Sequence, residues 1–140
     1  MPYSELMIKP MRDELAAIGF DELRDGAAVD SWAGAKEGVG LLVINSVCGC
    51  AAGMARPGVR LALETAESKP DHIGTVFAGQ DLEATAQARS LFAQVPPSSP
   101  SMALFKDGEL VYFVPRHRIE GRTADDVAGD LKSAFAEHCG

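Results

Sequence analysis

Two cysteines separated by a single glycine, Cys48-Gly49-Cys50, are the residues in this sequence whose types and spacing are best suited to chemistry. A cysteine is nucleophilic only as the thiolate, and a free cysteine with a pKa near ~8.5 is mostly protonated at neutral pH. Cys48 follows an apolar run and precedes a stretch with helical patterning. Because unpaired N–H groups at the start of a helix stabilise an anion, we predict a lowered pKa for Cys48 and a smaller effect on Cys50.

The one-residue spacing also narrows the redox chemistry that this pair could perform. A disulfide between residues i and i+2 closes a smaller ring than the commoner Cys-x-x-Cys, and Gly49 is the residue type best able to adopt the backbone angles required. Strain of this kind makes the oxidised form easier to reduce. The pair predicts an oxidising or isomerising dithiol, or an attacking Cys48 with Cys50 as its resolving partner.

Other interpretations of the cysteines stay open at this point. Cys48 and Cys50 could be ordinary core residues of an interaction domain without chemistry. They could also bind a metal in a module without turnover, although the sequence has no second thiolate pair with zinc-site spacing. Histidine and the third cysteine, near the C-terminus, could complete such a site, and we otherwise expect that cysteine to be a spectator thiol. The remaining ligand candidates are His72, His117, His138 and Cys139.

Composition limits the class of protein. A chain of 140 residues with 46% hydrophobic content can bury one core, so we expect a single domain over residues 1–140. The net charge of −7 argues against nucleic-acid binding. Arg116-His117-Arg118 is a local basic exception, which could attract an acidic small thiol or simply face water. No apolar run approaches the length of a spanning helix or resembles a signal peptide, which predicts a soluble cytoplasmic protein without a membrane partner.

The hydrophobic pattern alternates between strands and helices along the chain. Apolar spacing predicts a helix over residues 3–18, and the continuous apolar run of residues 40–47 predicts a central parallel strand. We expect the helix after the cysteine pair to be kinked at Pro57. The later helix should be N-capped by Asp81, with Leu82, Ala86, Leu91 and Phe92 available for the core. The other predicted helices lie at 27–35, 51–67 and 82–95, and a last helix is opened by Thr123 and Asp126. The other predicted strands lie at 20–23 and 72–77 and in a hairpin of 102–105 with 110–114 around Asp107-Gly108. We expect a loop at 36–38 and a rigid loop at 96–100.

This order of elements predicts the fold class. Parallel crossovers followed by a terminal hairpin and a helix are the order of thioredoxin. We therefore expect an α/β protein of thioredoxin-like fold, with a central mixed sheet flanked by helices and an extra N-terminal helix.

The cysteine segment also carries a family likeness. Residues 43–53, with the sequence VINSVCGCAAG, followed by Ala55-Arg56-Pro57, resemble the signature of the bacilliredoxin family of bacterial thioredoxin-like proteins. The likeness extends to residues 3–23 and 117–121. Separately, residues 100–108 resemble the segment of thioredoxin in which a cis-proline precedes a strand and a hairpin. The Trp before the pair and the Pro inside it that thioredoxins have are missing here.

The resemblance implies a specific activity, which is the removal of the low-molecular-weight thiol bacillithiol from protein mixed disulfides. It implies that Cys48 attacks, that Cys50 is its partner, and that Ser99 and Pro100 form a cis-proline loop that faces them. Together with Gly49, this loop would contact the substrate. The partners would be protein mixed disulfides and bacillithiol or another small thiol as co-substrate, with no resident cofactor and no metal. Protein disulfide isomerase or reductase activity is the alternative that the family also implies.

Overall fold

The structure is a computed structural model that describes residues 3–34 and 37–139. Its elements follow the predicted order, and the predicted strand at residues 72–77 has the observed bounds. The helices are α1 (Glu5–Ala16), α2 (Gly26–Ala33), α3 (Arg56–Thr65), α4 (Leu82–Ser90) and α5 (Ala124–His138), and the strands are β1 (Asp21–Glu22), β2 (Val39–Asn45), β3 (His72–Phe77), β4 (Ser101–Lys106) and β5 (Glu109–Val114).

The strands form one mixed sheet in the order β1-β3-β2-β4-β5. β2 is central, as predicted, but it is parallel only to β3 and pairs antiparallel with β4. β5 returns antiparallel to β4, which confirms the predicted hairpin. Because Ile44 lies beside both Val76 and Ser101, the ends of β2 and β3 and the start of β4 share one edge of the sheet.

Helices cover both faces of this sheet, which explains the continuous apolar run of β2. Leu41 and Val43 pack in the cluster that includes buried residues of α1, α3 and α5. Leu42 and Ile44 pack on the other face in the cluster with residues of α2 and α4. A strand buried on both faces needs apolar residues at every position, and all seven residues of β2 are buried. The predicted thioredoxin-like α/β class is therefore confirmed.

The helix after the cysteine pair differs from the prediction. Residues 51–67 do not form one helix kinked at Pro57; a π-helical turn at Ala51–Ala55 is followed by α3, and Pro57 lies in the first turn of α3. A proline is tolerated there because the first N–H groups of a helix have no intrahelical partner. The helix also ends earlier than expected, at Thr65, since Ala66 is already extended.

The helix predicted at residues 82–95 is also shorter, and a different face of it is buried. α4 ends at Ser90, and Asp81 makes no capping bond because its carboxylate accepts from the Arg12 guanidinium at 2.7 and 2.9 Å. Leu82 was expected in the core but is 61% exposed. Ala86, expected in the core as well, is exposed, whereas Phe92 is buried as predicted.

Local turn chemistry was predicted more accurately. Asp107 and Gly108 have φ values of 51° and 86°, as a two-residue hairpin turn of type I′ requires. Thr123 and Asp126 form a reciprocal capping box at the start of α5. The weakly patterned strand at 20–23 is present as the shorter β1, and the helix predicted at 27–35 is present as α2, which begins at Gly26 and ends at Ala33. Ala35 of that predicted helix lies outside the described residues. Lys36 of the predicted loop lies outside the described residues.

Candidate active site

Cys48 lies where the chain passes from the central strand into the helical segment. β2 ends at Asn45, and the Cys48 carbonyl accepts the first helical hydrogen bonds, from the N–H groups of Ala51 at 3.1 Å and Ala52 at 3.3 Å. The following N–H groups therefore point towards the Cys48 side chain and favour negative charge there. This is the junction that the sequence predicted.

The two thiols are in contact. Both cysteines are free, with 2.8 Å between Cys48 Sγ and Cys50 Sγ, so one sulfur can donate a hydrogen bond to the other. Cys48 is half-buried, whereas Cys50 is only 7% exposed. An incoming disulfide can therefore reach Cys48, with Cys50 behind it as a neighbouring thiol.

The environment makes Cys48 the acidic member of the pair. Burial raises its pKa, but hydrogen bonds from the Cys50 thiol, the Ser46 hydroxyl and the N–H groups of Ala51 and Cys50 outweigh burial and lower it to about 7. The pKa of Cys50 is raised, first by burial and then by the adjacent Cys48 thiolate. The predicted lowering for Cys48 agrees with this direction. The expected smaller lowering for Cys50 is wrong, because burial and the neighbouring anion dominate.

A proline loop lies at the same edge of the sheet. The Ser99–Pro100 peptide bond is cis, Pro100 is buried, and β4 begins at the next residue, which pairs with Ile44 near the end of β2. Ser98 makes two hydrogen bonds that stabilise the loop. Its carbonyl accepts from Ser101 Oγ at 2.9 Å, and its hydroxyl accepts from the Arg116 N–H at 3.2 Å. Ser99 is half-buried, and its carbonyl accepts from Arg116 Nη1 at 3.5 Å. The loop is therefore fixed at the edge of the sheet where β2 ends, three residues before Cys48.

A buried arginine fixes the segment that leads to Cys48. Arg56 is 3% exposed, and its Nη1 donates to Asn45 Oδ1 and to the Ser46 carbonyl, each at 2.9 Å. Its Nε donates to the Glu14 carboxylate of α1. The Ser46 hydroxyl in turn accepts from the Cys48 N–H at 3.0 Å. This arrangement holds residues 45–48 between the sheet, α1 and α3.

Comparison with known proteins identifies the family. A family model described as disulphide isomerase matches residues 3–139. A bacilliredoxin from Bacillus cereus is 51% identical over 137 residues, which are 98% of this chain and 95% of that protein. Bacilliredoxins from Salinibacter ruber and Cytophaga hutchinsonii are each 54% identical, covering 100% and 96% of this chain and 83% and 98% of those proteins. The chain belongs to the bacilliredoxin family.

Solved structures place the chain in the thioredoxin fold. A thioredoxin from Fasciola hepatica has a TM-score of 0.58 at 17% identity and covers 85% of this chain and 99% of its own. A thioredoxin variant from Halobacterium salinarum has a TM-score of 0.57 at 20% identity, with 86% and 90% covered. Family and fold together make the chain a thiol–disulfide oxidoreductase.

Two residues of this site, Ser46 and Arg56, were not identified from the sequence as contributors to it. The sequence did contain a signal for Ser46, because a serine directly after a buried strand often accepts a hydrogen bond from the backbone N–H two residues on. Arg56 had none, since an arginine in a helical stretch is usually exposed. Arg116 belongs to the basic cluster, but the sequence does not show that it contacts the proline loop.

The remaining candidates lie away from the cysteine pair or form no site. Within residues 3–34 and 37–139, no group of three His, Cys, Asp or Glu side chains is arranged to hold a metal ion. Cys139 ends α5 beside the charges of Asp71 and Lys106, and burial raises its pKa. Those two residues are at the sheet edge opposite to Cys48. A cavity of about 290 Å³ at that far edge, lined by Trp32, His72 and Phe105, is also remote from the thiols.

The described part of the chain was also searched for membrane segments. No helix there combines the length and the apolar character that crossing a bilayer requires.

Proposed function

We propose that this protein removes bacillithiol from protein mixed disulfides, with Cys48 as the attacking thiol. The observation that carries the proposal is the half-buried Cys48 at the start of a helix, with a pKa of about 7 and its Sγ 2.8 Å from Cys50 Sγ. Near neutral pH such a cysteine is about half thiolate, whereas a thiol of pKa ~8.5 is only a few per cent thiolate. The relatives named bacilliredoxin support the choice of thiol.

The first step transfers the small thiol to the enzyme. The Cys48 thiolate attacks the bacillithiol sulfur of the mixed disulfide, a new S–S bond forms, and the bond to the substrate protein breaks. The substrate cysteine leaves as a thiolate and takes a proton from water. The substrate is thereby reduced, and Cys48 carries bacillithiol as a mixed disulfide.

The second step regenerates or oxidises the enzyme. In one branch Cys50 loses its proton and attacks Cys48 Sγ, which releases bacillithiol as a thiolate and leaves a Cys48–Cys50 disulfide. In the other branch a second bacillithiol thiolate attacks the bound bacillithiol sulfur, which releases bacillithiol disulfide and returns the Cys48 thiolate. The close contact of the two sulfurs favours the first branch.

We call Gly49, Ser99 and Pro100 the substrate rim. We assign substrate contact to Gly49, which is exposed, and to Ser99 and Pro100 of the fixed loop. The backbone of Ser99 can pair with an incoming extended chain because Pro100 itself has no N–H. We propose bacillithiol as co-substrate, no resident cofactor, and the reducing cytoplasm as the compartment.

The decisive experiment follows bacillithiol by mass. The enzyme is incubated with a bacillithiolated substrate protein, and the mass of the peptide that contains Cys48 is measured. We expect Cys50→Ser to accumulate bacillithiol on Cys48, Cys48→Ser to leave the substrate modified, and Cys139→Ser to act like the wild type. Full turnover by Cys48→Ser would refute the mechanism, and unmodified Cys48 in Cys50→Ser would refute the transfer step.

A second activity is favoured by the family model, whose description is disulphide isomerase. The same Cys48 thiolate could attack a disulfide within a protein, and Cys50 could release the mixed disulfide that forms. Refolding of a scrambled protein with several disulfides, catalysed by the reduced enzyme without bacillithiol, would support this activity. Catalysis that depends entirely on added bacillithiol would favour the first proposal.

A further inference from the structure

Arg116 is attached to the proline loop. It begins a 3-10 turn, Arg116–Arg118, just after β5. Its backbone N–H donates to Ser98 Oγ at 3.2 Å, and its guanidinium Nη1 reaches the Ser99 carbonyl at 3.5 Å. These two contacts place a permanent positive charge directly beside the cis peptide bond of the candidate active site.

The charge of Arg116 acts on the thiols. Its positive charge lowers the pKa of Cys50 and so offsets part of the increase described above. The pKa of Arg116 is itself raised, first by its hydrogen bond to Glu120 and then by the charges of Cys50 and Cys48. The side chain is nevertheless 45% exposed. A ligand that occupies the space above Cys48 can therefore reach the guanidinium.

The two neighbouring arginines bind a carboxylate of α5. Arg118 and Arg122 both bind the Asp130 carboxylate of α5. Arg116 uses Nε for Glu120, at 2.9 Å, and Nη1 for the loop. In the described part of the chain, its Nη2 makes no hydrogen bond to protein. Of these three arginines, Arg116 is the one that contacts the proline loop, and it still has a donor to offer there.

We propose that Arg116 binds a carboxylate of the small thiol that Cys48 exchanges, so that the enzyme selects thiols that carry carboxylates. This inference rests on the proposed function and names the part of the co-substrate that is recognised. An arginine presents its donors in a fixed planar fork that fits a carboxylate, and such charge-assisted bonds are stronger than neutral ones. Glu120 competes for the same guanidinium and limits the selectivity.

The test compares two small thiols on one reporter. A peptide with a single cysteine is linked by a disulfide either to mercaptosuccinate, which carries carboxylates, or to neutral 2-mercaptoethanol. The second-order rate constant for each with the reduced enzyme at low salt gives a selectivity ratio. We expect Arg116→Gln to lower the ratio of mercaptosuccinate to 2-mercaptoethanol about 3–10-fold. Any general change in thiol reactivity affects both rate constants and cancels in the ratio.

Three variants of exposed residues sharpen the result. Arg116→Lys should retain part of the selectivity because it keeps the charge without the fork. Glu120→Gln should raise the ratio, since it removes the competing carboxylate. Arg118→Gln, the matched control, should leave the ratio unchanged because that arginine is bound to Asp130.

An unchanged ratio in Arg116→Gln would overturn the proposal, and so would an equal loss in Arg118→Gln, which would show a general field effect. A different result would refute the proposed function: the wild type would react with both reporters but would not accept bacillithiol from a modified protein.

Discussion

The hydroxyl of Ser46 is the group whose removal best tests how Cys48 is activated. Ser46 is 7% exposed, its Oγ accepts from the Cys48 N–H at 3.0 Å, and its hydroxyl helps to lower the pKa of Cys48. A hydrogen bond to a charged group contributes about 1.5–3 kcal/mol. The low end applies because Cys48 is half-buried, and this energy corresponds to about one pKa unit.

We therefore expect Ser46→Ala to raise the pKa of Cys48 from about 7 to about 8. Near pH 7 the thiolate fraction falls from about one half to about one tenth, so alkylation of Cys48 slows about fivefold. Well above both pKa values the thiol is fully ionised in either protein, and the two rates should be similar.

The assay is the rate of Cys48 alkylation by iodoacetamide as a function of pH, read by mass spectrometry of the peptide that contains it. Ser133→Ala, at an exposed position of α5, is the matched control and should reproduce the wild-type midpoint. A midpoint that stays near 7 in Ser46→Ala would refute the role of the hydroxyl. A lower rate at every pH with the same midpoint would show that access to the thiol had changed instead.

Two further substitutions separate substrate contact from stability. Gly49→Ala should leave the protein equally stable or up to about 1 kcal/mol more stable in urea unfolding, because an added Cβ meets no atom within 4 Å. It should still lower kcat/KM for a bacillithiolated protein, and unchanged kinetics would remove Gly49 from the substrate rim. Thr123→Ala should lower the free energy of unfolding by about 1 kcal/mol, because it removes the capping box of α5. The alkylation profile of Cys48 should not change, and a shift would show that α5 influences the thiol.

The fold was predictable where local pattern and burial agree. The apolar run of residues 40–47 indicated a strand covered on both faces, and β2 lies between β3 and β4 with helices on both sides. The predictions failed where long-range packing decides. Leu82 and Ala86 lie about 200° around the helix from the buried Ala84, so the face that packs is set by Ala84 and Ala88.

The candidate site was likewise predictable where local sequence decides and not where long-range contacts do. Cys48 was predictable because the strand, the cysteine and the helix start are adjacent in the sequence. The roles of Arg56 and Arg116 were not, because their partners are distant: Arg56 meets Asn45 across 11 residues, and Arg116 meets Ser98 across 18. No local spacing encodes such contacts. The family resemblance supplied the proline loop, but the charge beside it required the three-dimensional arrangement.

The asymmetry of the two thiols sets the order of the proposed steps. While Cys48 is a thiolate, its charge and its hydrogen bond raise the pKa of Cys50 and keep that thiol protonated. Formation of the mixed disulfide removes the charge from Cys48, so this contribution to the raised pKa of Cys50 disappears. The attraction of Arg116 for a Cys50 thiolate remains. Cys50 therefore becomes a better nucleophile only once there is a disulfide beside it to attack.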